Sequence, residues 1–294
     1  MRLATFFEAN AIILASASRR GEEGVPRRIA DELSALAAAK GDFLFVNCRV
    51  DTREGLYNFL DRIRESVSSG LRPILHLDMH GHKDKGLEIG ATGEFAPWPS
   101  LVEKLRPINV ATGNNLCVLI TACHGLYLIT PISIFEPTPF FALLAPQEEI
   151  RIAELEDAVG PFYRELIETR DAAHAFSMLS GKFKYFHSEK MLVVAMARYI
   201  HNYCRGRGAV KRREELLTGI LRGMPNTPAN RKTARKRIKR SIEPDQALLD
   251  EYARTFLAGK RSSITMAEIL REIKRPGLTL GRTDGALASR SPAR

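Results

Sequence analysis

Short apolar runs that stop at glycine-bearing turns alternate with helix-length amphipathic stretches through residues 11–125, and this rhythm constrains the fold more than any other feature of the chain. Residues 12–16 read as a buried strand. Residues 26–40 read as a helix, with Ile29, Leu33, Leu36 and Ala37 on one stripe and Pro26 near its first turn. Residues 43–50 form a second expected strand. Residues 52–69 form a second helix, with Thr52 as its N-cap and Leu56, Phe59, Leu60 and Ile63 on its apolar side. A third strand is expected at 74–79, a short helical piece at 101–106 and a fourth strand at 116–122. Repeated βα units demand a mostly parallel sheet with helices on both faces, because each right-handed crossover must pack its helix back onto the sheet. The expected class is α/β, a three-layer sandwich.

Two of these strands carry chemistry at their ends. The third runs Pro-Ile-Leu-His-Leu-Asp-Met-His-Gly-His over 73–82, and the fourth runs Leu-Cys-Val-Leu-Ile-Thr-Ala-Cys-His-Gly over 116–125. Reactive groups collect at the carboxyl ends of parallel strands. If the two strands are neighbours, the His80 imidazole and the Cys123 thiol meet at one sheet edge. A thiol of ordinary pKa, about 8.5, is mostly protonated at neutral pH, and an adjacent imidazole can take its proton. Cys123 is then the candidate nucleophile, and His80 the general base that later protonates a leaving amine. The backbone N–H groups of Gly81 and Cys123 are the candidate oxyanion hole. Asp78 lies two residues before His80 and shares its face, which makes it a candidate orienter; no third member stands out.

Each residue also has a plainer reading. A lone cysteine at a strand end is usually a small buried hydrophobe, and Cys48, Cys117 and Cys204 are read that way. Only the pairing with His-Gly tips Cys123 toward catalysis. His76, His80 and His82 suggest a zinc site, but an extended strand spreads them over about 20 Å, so no metal and no cofactor is assigned. The glycine-rich stretch at 86–93 lacks the Gly-Lys-[Ser/Thr] ending of a phosphate loop.

A hydrophobic strand ending His-Gly, followed by one ending Ala-Cys, resembles the caspase-like cysteine peptidases. Thr121-Ala122-Cys123-His124-Gly125, with His80 43 residues upstream, matches the caspase pattern Gln-Ala-Cys-[Arg/Gln/Gly]-Gly except at Thr121 and His124. These two departures bear on substrate preference more than on the Cys/His pair. Trp98 between the motifs, the hairpin-like 86–93 stretch, and the segments at 160–166 and 171–175 are similar to CHAT-type domains. The resemblance covers about residues 10–205. It implies a caspase-like fold and a cysteine endopeptidase acting on a protein substrate. It further implies a role in bacterial antiviral defence or programmed cell death, with gasdermin-like proteins among the targets and a separate activator or sensor as partner. Substrate preference is expected to sit in the 127–136 loop and around Trp98.

The second half reads as a fifth strand at 140–144, helices at 150–169 and 171–179, a last strand at 182–186 and a buried helix at 191–203. Past Arg205 the composition changes. The net charge of the chain is +10, yet residues 205–240 alone hold 13 Lys/Arg against two acids. The remainder is therefore close to neutral. Gly206 and Gly208 read as a linker. Helices are expected at 210–221, 231–240, 246–257 and 265–273, and the last dozen residues are expected to be disordered. The expected division is a peptidase domain at 1–205 and a basic helical extension at 206–294. The basic segment at 205–240 suits docking to nucleic acid or to an acidic protein, or is merely a solvated helix face. A catalytically silent scaffold and a nucleic-acid-binding protein thus stand as alternatives to the peptidase. Scattered cysteines, the absence of a long apolar run and the strand-like start of the chain point to a cytoplasmic protein without a membrane span.

Overall fold

The structure is a computed structural model that describes residues 3–273 apart from 42, 180 and 224; the tail expected to be disordered lies outside the described residues. The expected alternation is present. Strands β1 (Ala11–Ala17), β2 (Leu44–Arg49) and β3 (Pro73–His82) are separated by helices α1 (Gly24–Lys40) and α2 (Arg53–Val67). Strand β3 continues into a hairpin of β4 (Gly86–Ile89) and β5 (Glu94–Ala96). Helix α3 (Trp98–Ala111) then leads to β6 (Cys117–Ile120), β7 (Ala142–Pro146), α4 (Ile152–Thr169), the single turn α5 (Ala172–Ala175) and β8 (Phe183–His187). The chain ends in α6 (Ser188–Tyr199), α7 (Gly206–Leu221), α8 (Pro228–Ser241), α9 (Gln246–Phe256) and α10 (Met266–Ile273).

The main sheet has the order β2-β1-β3-β6-β7-β8. All of its pairings are parallel except β7 with β8. Its alternating residues feed two cores. Ile13, Leu75, Leu77, Val118 and Ile120 face a layer that includes α2, α3, α6, α9 and α10. Ile12, Leu14, Ile74, Leu119 and Leu144 face α1, α4 and α5. Strands covered on both faces read as unbroken apolar runs, which is why these were legible.

Local chemistry sets the boundaries. Thr52 caps α2 as expected, its hydroxyl accepting from the Gly55 N–H at 3.0 Å. Asp171 caps α5 with bonds from the N–H groups of Ala173 and His174. Helix α3 runs five residues past the expected end at 106 despite Pro107, because Ile108 and Asn109 are fully buried beyond it. Asn109 there donates to the Thr138 carbonyl at 2.8 Å and accepts from the Leu116 N–H at 3.0 Å. The residues read as a linker open α7 instead. A Cβ at Gly208 would lie 1.8 Å from the Asn202 carbonyl oxygen, so this glycine permits a close turn between helical segments.

Packing does not follow the change of composition at 205. Leu249, Ala253, Phe256, Met266 and Ile269 of α9 and α10 belong to the same core as β3 and β6. The Thr138 N–H donates to the Phe256 carbonyl at 2.8 Å. Glu189 of α6 is buried and accepts from the hydroxyls of Ser262 and Ser263, at 2.8 and 2.9 Å, and from the Ser263 N–H. Among the described residues, α7 and α8 form a separate cluster around Leu217, Ala234, Ile238 and Ile242. Among the described residues, no helix is long and apolar enough to cross a membrane.

If α9 is part of the core, Phe256→Ala removes a fully buried ring and should cost about 3–5 kcal/mol in urea unfolding of the whole chain. A main transition that stayed in place would mean that α9 unfolds on its own.

Candidate functional site

Strands β3 and β6 pair in register from Ile74 with Cys117 to Leu77 with Ile120. The Thr121 N–H extends the ladder by donating to the Leu77 carbonyl at 3.1 Å. His80 and Cys123 each follow the last pair by three residues, so both stand at the carboxyl end of neighbouring parallel strands. There β3 outlasts β6 and folds back, pairing His80 with Glu88 and Gly81 with Leu87 of β4. Gly81 passes so close to the Cys123 turn that a Cβ on it would lie 1.9 Å from the Cys123 carbonyl oxygen. Room for that turn is therefore a steric reason for glycine here, whatever its N–H does.

Cys123 begins a tight turn closed by the Gly125 N–H on the Ala122 carbonyl at 3.1 Å. The next residue, His124, is left-handed at φ 59°, a sparsely populated state for a side chain with a Cβ. Two bonds hold it there: its N–H to the Glu148 carbonyl at 3.3 Å and its Nδ1–H to the Gln147 carbonyl at 3.3 Å. The Cys123 Sγ lies 4.0 Å from the Ile150 carbonyl oxygen. The Cys123 N–H takes no protein partner among the described residues and is available as a donor.

The His80 imidazole has a carboxylate partner that the sequence did not reveal. Its Nε2 lies 2.7 Å from Oε2 of Glu22, in the loop between β1 and α1. A carboxylate accepts, so Nε2 carries the proton and Nδ1 is left as the basic nitrogen. The hydrogen bond from His80 is the main cause that holds the Glu22 carboxyl below its ordinary pKa. A second carboxylate, Glu88, stands opposite His80 in the hairpin. Arg19 grips it with Nε and Nη2, each at 2.8 Å, and this grip lowers the Glu88 pKa. The only sequence cue to Glu22 was its place just after β1, whose carboxyl end shares the edge with β3.

Asp78 does not orient His80 through a hydrogen bond. It turns to the neighbouring strand, where the Thr121 hydroxyl donates to its Oδ1 at 2.7 Å. Thr121 Oγ1 in turn accepts from Nε2–H of His76 at 2.9 Å. All three residues are buried, and His76 also stacks on Tyr163 of α4 with ring centroids 5.7 Å apart. Burial pushes the His76 pKa down to about 3, so its imidazole is neutral. Burial raises the Asp78 pKa, partly offset by the Thr121 bond and by the charge of His80. This polar chain ties β3 to β6 directly beneath His80 and Cys123.

The remaining candidates disperse. His82 faces the edge of the Phe95 ring at 6.0 Å, so the three strand histidines have three different sets of partners. Among the described residues, no group of three or more His, Cys, Asp or Glu is arranged to hold a metal. Trp98 is buried and donates its indole N–H to the Lys83 carbonyl at 2.9 Å, which anchors the hairpin tip. Tyr127 remains beside the site, between the Lys83 ammonium at 5.5 Å and the His124 ring at 6.0 Å. Burial pushes the thiol pKa of Cys117 up to about 12, as suits an unreactive core cysteine, and raises that of the partly buried Cys48 and Cys204. In comparisons with known proteins, no family model and no curated protein matches the chain.

The raised Asp78 pKa means that the folded state holds this proton more tightly than the unfolded chain, so wild-type stability falls as pH rises from about 4 through the folded value. Asp78→Asn keeps an acceptor for Thr121 without the buried charge. The variant should melt at or above wild type at pH 7, and its advantage should shrink toward pH 4. A variant less stable than wild type at pH 7 would show that the charge is needed where it is.

Proposed function

We propose that this protein is a cysteine endopeptidase of caspase-like, CHAT-type character. One observation carries the reading: β3 and β6 are adjacent and parallel, with His80 and Cys123 at the same end and Gly81 packed on the Cys123 turn. In this reading the Nδ1 of His80 takes the thiol proton and the Cys123 sulfur attacks a peptide carbonyl carbon. Negative charge on the carbonyl oxygen is met by the Cys123 N–H, with the Gly81 N–H as second donor. The C–N bond breaks as His80 returns the proton to the leaving amine, leaving a thioester on Cys123. Water, deprotonated by His80, then cleaves the thioester and restores the thiol.

Glu22 fits as a positioning residue. By accepting from Nε2–H it fixes the tautomer that presents Nδ1 as base, and its negative charge stabilises the imidazolium formed during attack. The pair is nearly half exposed, at 42% and 45% of the side-chain surfaces, so its effect is smaller than that of a buried carboxylate. Four free thiols suit a reducing, cytoplasmic setting. A protein substrate, a gasdermin-like target in antiviral defence and a separate activator complete the proposal; these rest on the family resemblance of the two motifs.

The test is cleavage of a diverse peptide library by the purified chain beside Cys123→Ala and His80→Ala. Cleavage by the wild type alone supports the reading. Cleavage that survives Cys123→Ala, or failure of an electrophilic thiol probe to label Cys123, overturns it. Glu22→Gln should lower kcat about tenfold with KM unchanged, well short of the ~10²–10⁴ that general acid–base catalysis supplies, and Glu22→Asp should recover part of the loss.

A further inference from the structure

The charged hairpin of α7 and α8 takes no part in the site described above. Its own core fixes how it is presented. Ala234, Ile238 and Ile242, spaced by four, pack with Leu217 of α7, and Leu216, Ile220 and Leu221 flank them. With that stripe committed, the rest of α8 must face outward. Arg231, Lys232, Arg235, Lys236, Arg237 and Lys239 are all exposed, and α8 contains no acid. Among the described residues, the only ion pair on α8 is Arg235 with Glu214, at 3.8 Å and on the surface.

Charge density decides what such a surface fits. At 1.5 Å rise per residue, Arg231 to Lys239 spans about 12 Å, so the six cations come about one every 2 Å along the axis. A nucleic-acid duplex carries one negative charge per about 1.7 Å of its axis. A protein partner would need something else. Protein interfaces are anchored by buried aromatic or aliphatic side chains inside a polar rim, and the outward face of α8 offers none. Binding of single strands relies on aromatic platforms under the bases, and α8 has no aromatic residue.

We propose that the α7–α8 hairpin binds the phosphate backbone of double-stranded nucleic acid, without reading its sequence. The contacts are from Lys and Arg to phosphate oxygens, so association releases counterions and weakens steeply with salt. The surface is independent of Cys123, and its occupation requires no peptidase activity.

The full-length chain would be titrated against a fluorescent DNA duplex of mixed sequence, about 25 base pairs long, at several salt concentrations. Four or more phosphate contacts predict a log–log salt slope of about −4 and a loss of about 10²-fold in affinity between 50 and 200 mM salt. The triple variant Lys232→Glu, Lys236→Glu, Lys239→Glu should abolish binding while leaving the thermal melt unchanged. The neutral triple variant to Gln should flatten the slope by about 3. No binding at 50 mM salt, a slope near zero, or equal binding by the charge-swapped variant would overturn the proposal. So would equal affinity per charge for polyglutamate or for anionic phospholipid vesicles, which would assign the face to an acidic protein or to a membrane surface.

Discussion

Strand β6 stops at Ile120 while its parallel neighbour β3 runs on to His82, and the carboxyl edge of the sheet is built on that mismatch. Had both strands ended together, His80 and Cys123 would each begin a loop of its own. Instead the overhang of β3 finds a new partner in β4, which fixes His80 in extended backbone. The Cys123 turn then folds against the overhang at the one residue without a side chain. The thiol turn is thus positioned by backbone packing on β3. Beneath it, the chain from His76 through Thr121 to Asp78 crosses from one strand to the other. Such buried bonds are costly to leave half made, so they disfavour any slip between the two strands. A slip of one residue would carry the His80 imidazole to the opposite face of the sheet.

Much of this was legible in the chain, for a definite reason. A strand buried on both faces is apolar at most positions, so strands β1, β3 and β6 announced themselves, and right-handed crossovers left a parallel arrangement as the outcome. The common end for His80 and Cys123 followed. What escaped were contacts decided between segments remote in sequence. Glu22 lies 58 residues from His80; only the juxtaposition of β1 and β3 brings them together. Asp78 shares a strand face with His80, yet the hydroxyl of Thr121 on the next strand claims it. The bond from the Trp98 indole to the carbonyl of Lys83 likewise has no mark in the sequence. Pro107 suggests a helix end, but the burial of Ile108 and Asn109 outweighs one missing backbone bond.

The extension illustrates the same limit with charge in place of packing. Composition changes sharply at Arg205, and a change of composition suggests a change of domain. The amphipathic stripes of α9 and α10, however, carry no mark of where they dock. They close the core over α6, and the buried carboxylate of Glu189 fastens the loop between them. A buried carboxylate needs several donors to offset its lost hydration, and here two hydroxyls and a backbone N–H supply them. Helices α7 and α8 have a small core of their own and most of the net positive charge, and Arg212 joins α7 to Tyr199 of α6.

The Cys123 turn is also tied to a part of the chain that the strands do not control. His124 is held in its left-handed conformation by the carbonyls of Gln147 and Glu148, and the Cys123 sulfur faces the carbonyl of Ile150. All three belong to the loop between β7 and α4. A strained backbone persists only while its surroundings enforce it. This one loop therefore supplies both bonds that enforce His124 and the carbonyl that the sulfur contacts. The pairing of His80 with Glu22 lies on the other side, between the β1–α1 loop and β3. The His80–Glu22 pair and the His124 bonds thus rest on different loops, while the strand pairing of β3 with β6, the chain from His76 through Thr121 to Asp78 and the close approach at Gly81 join the two sides.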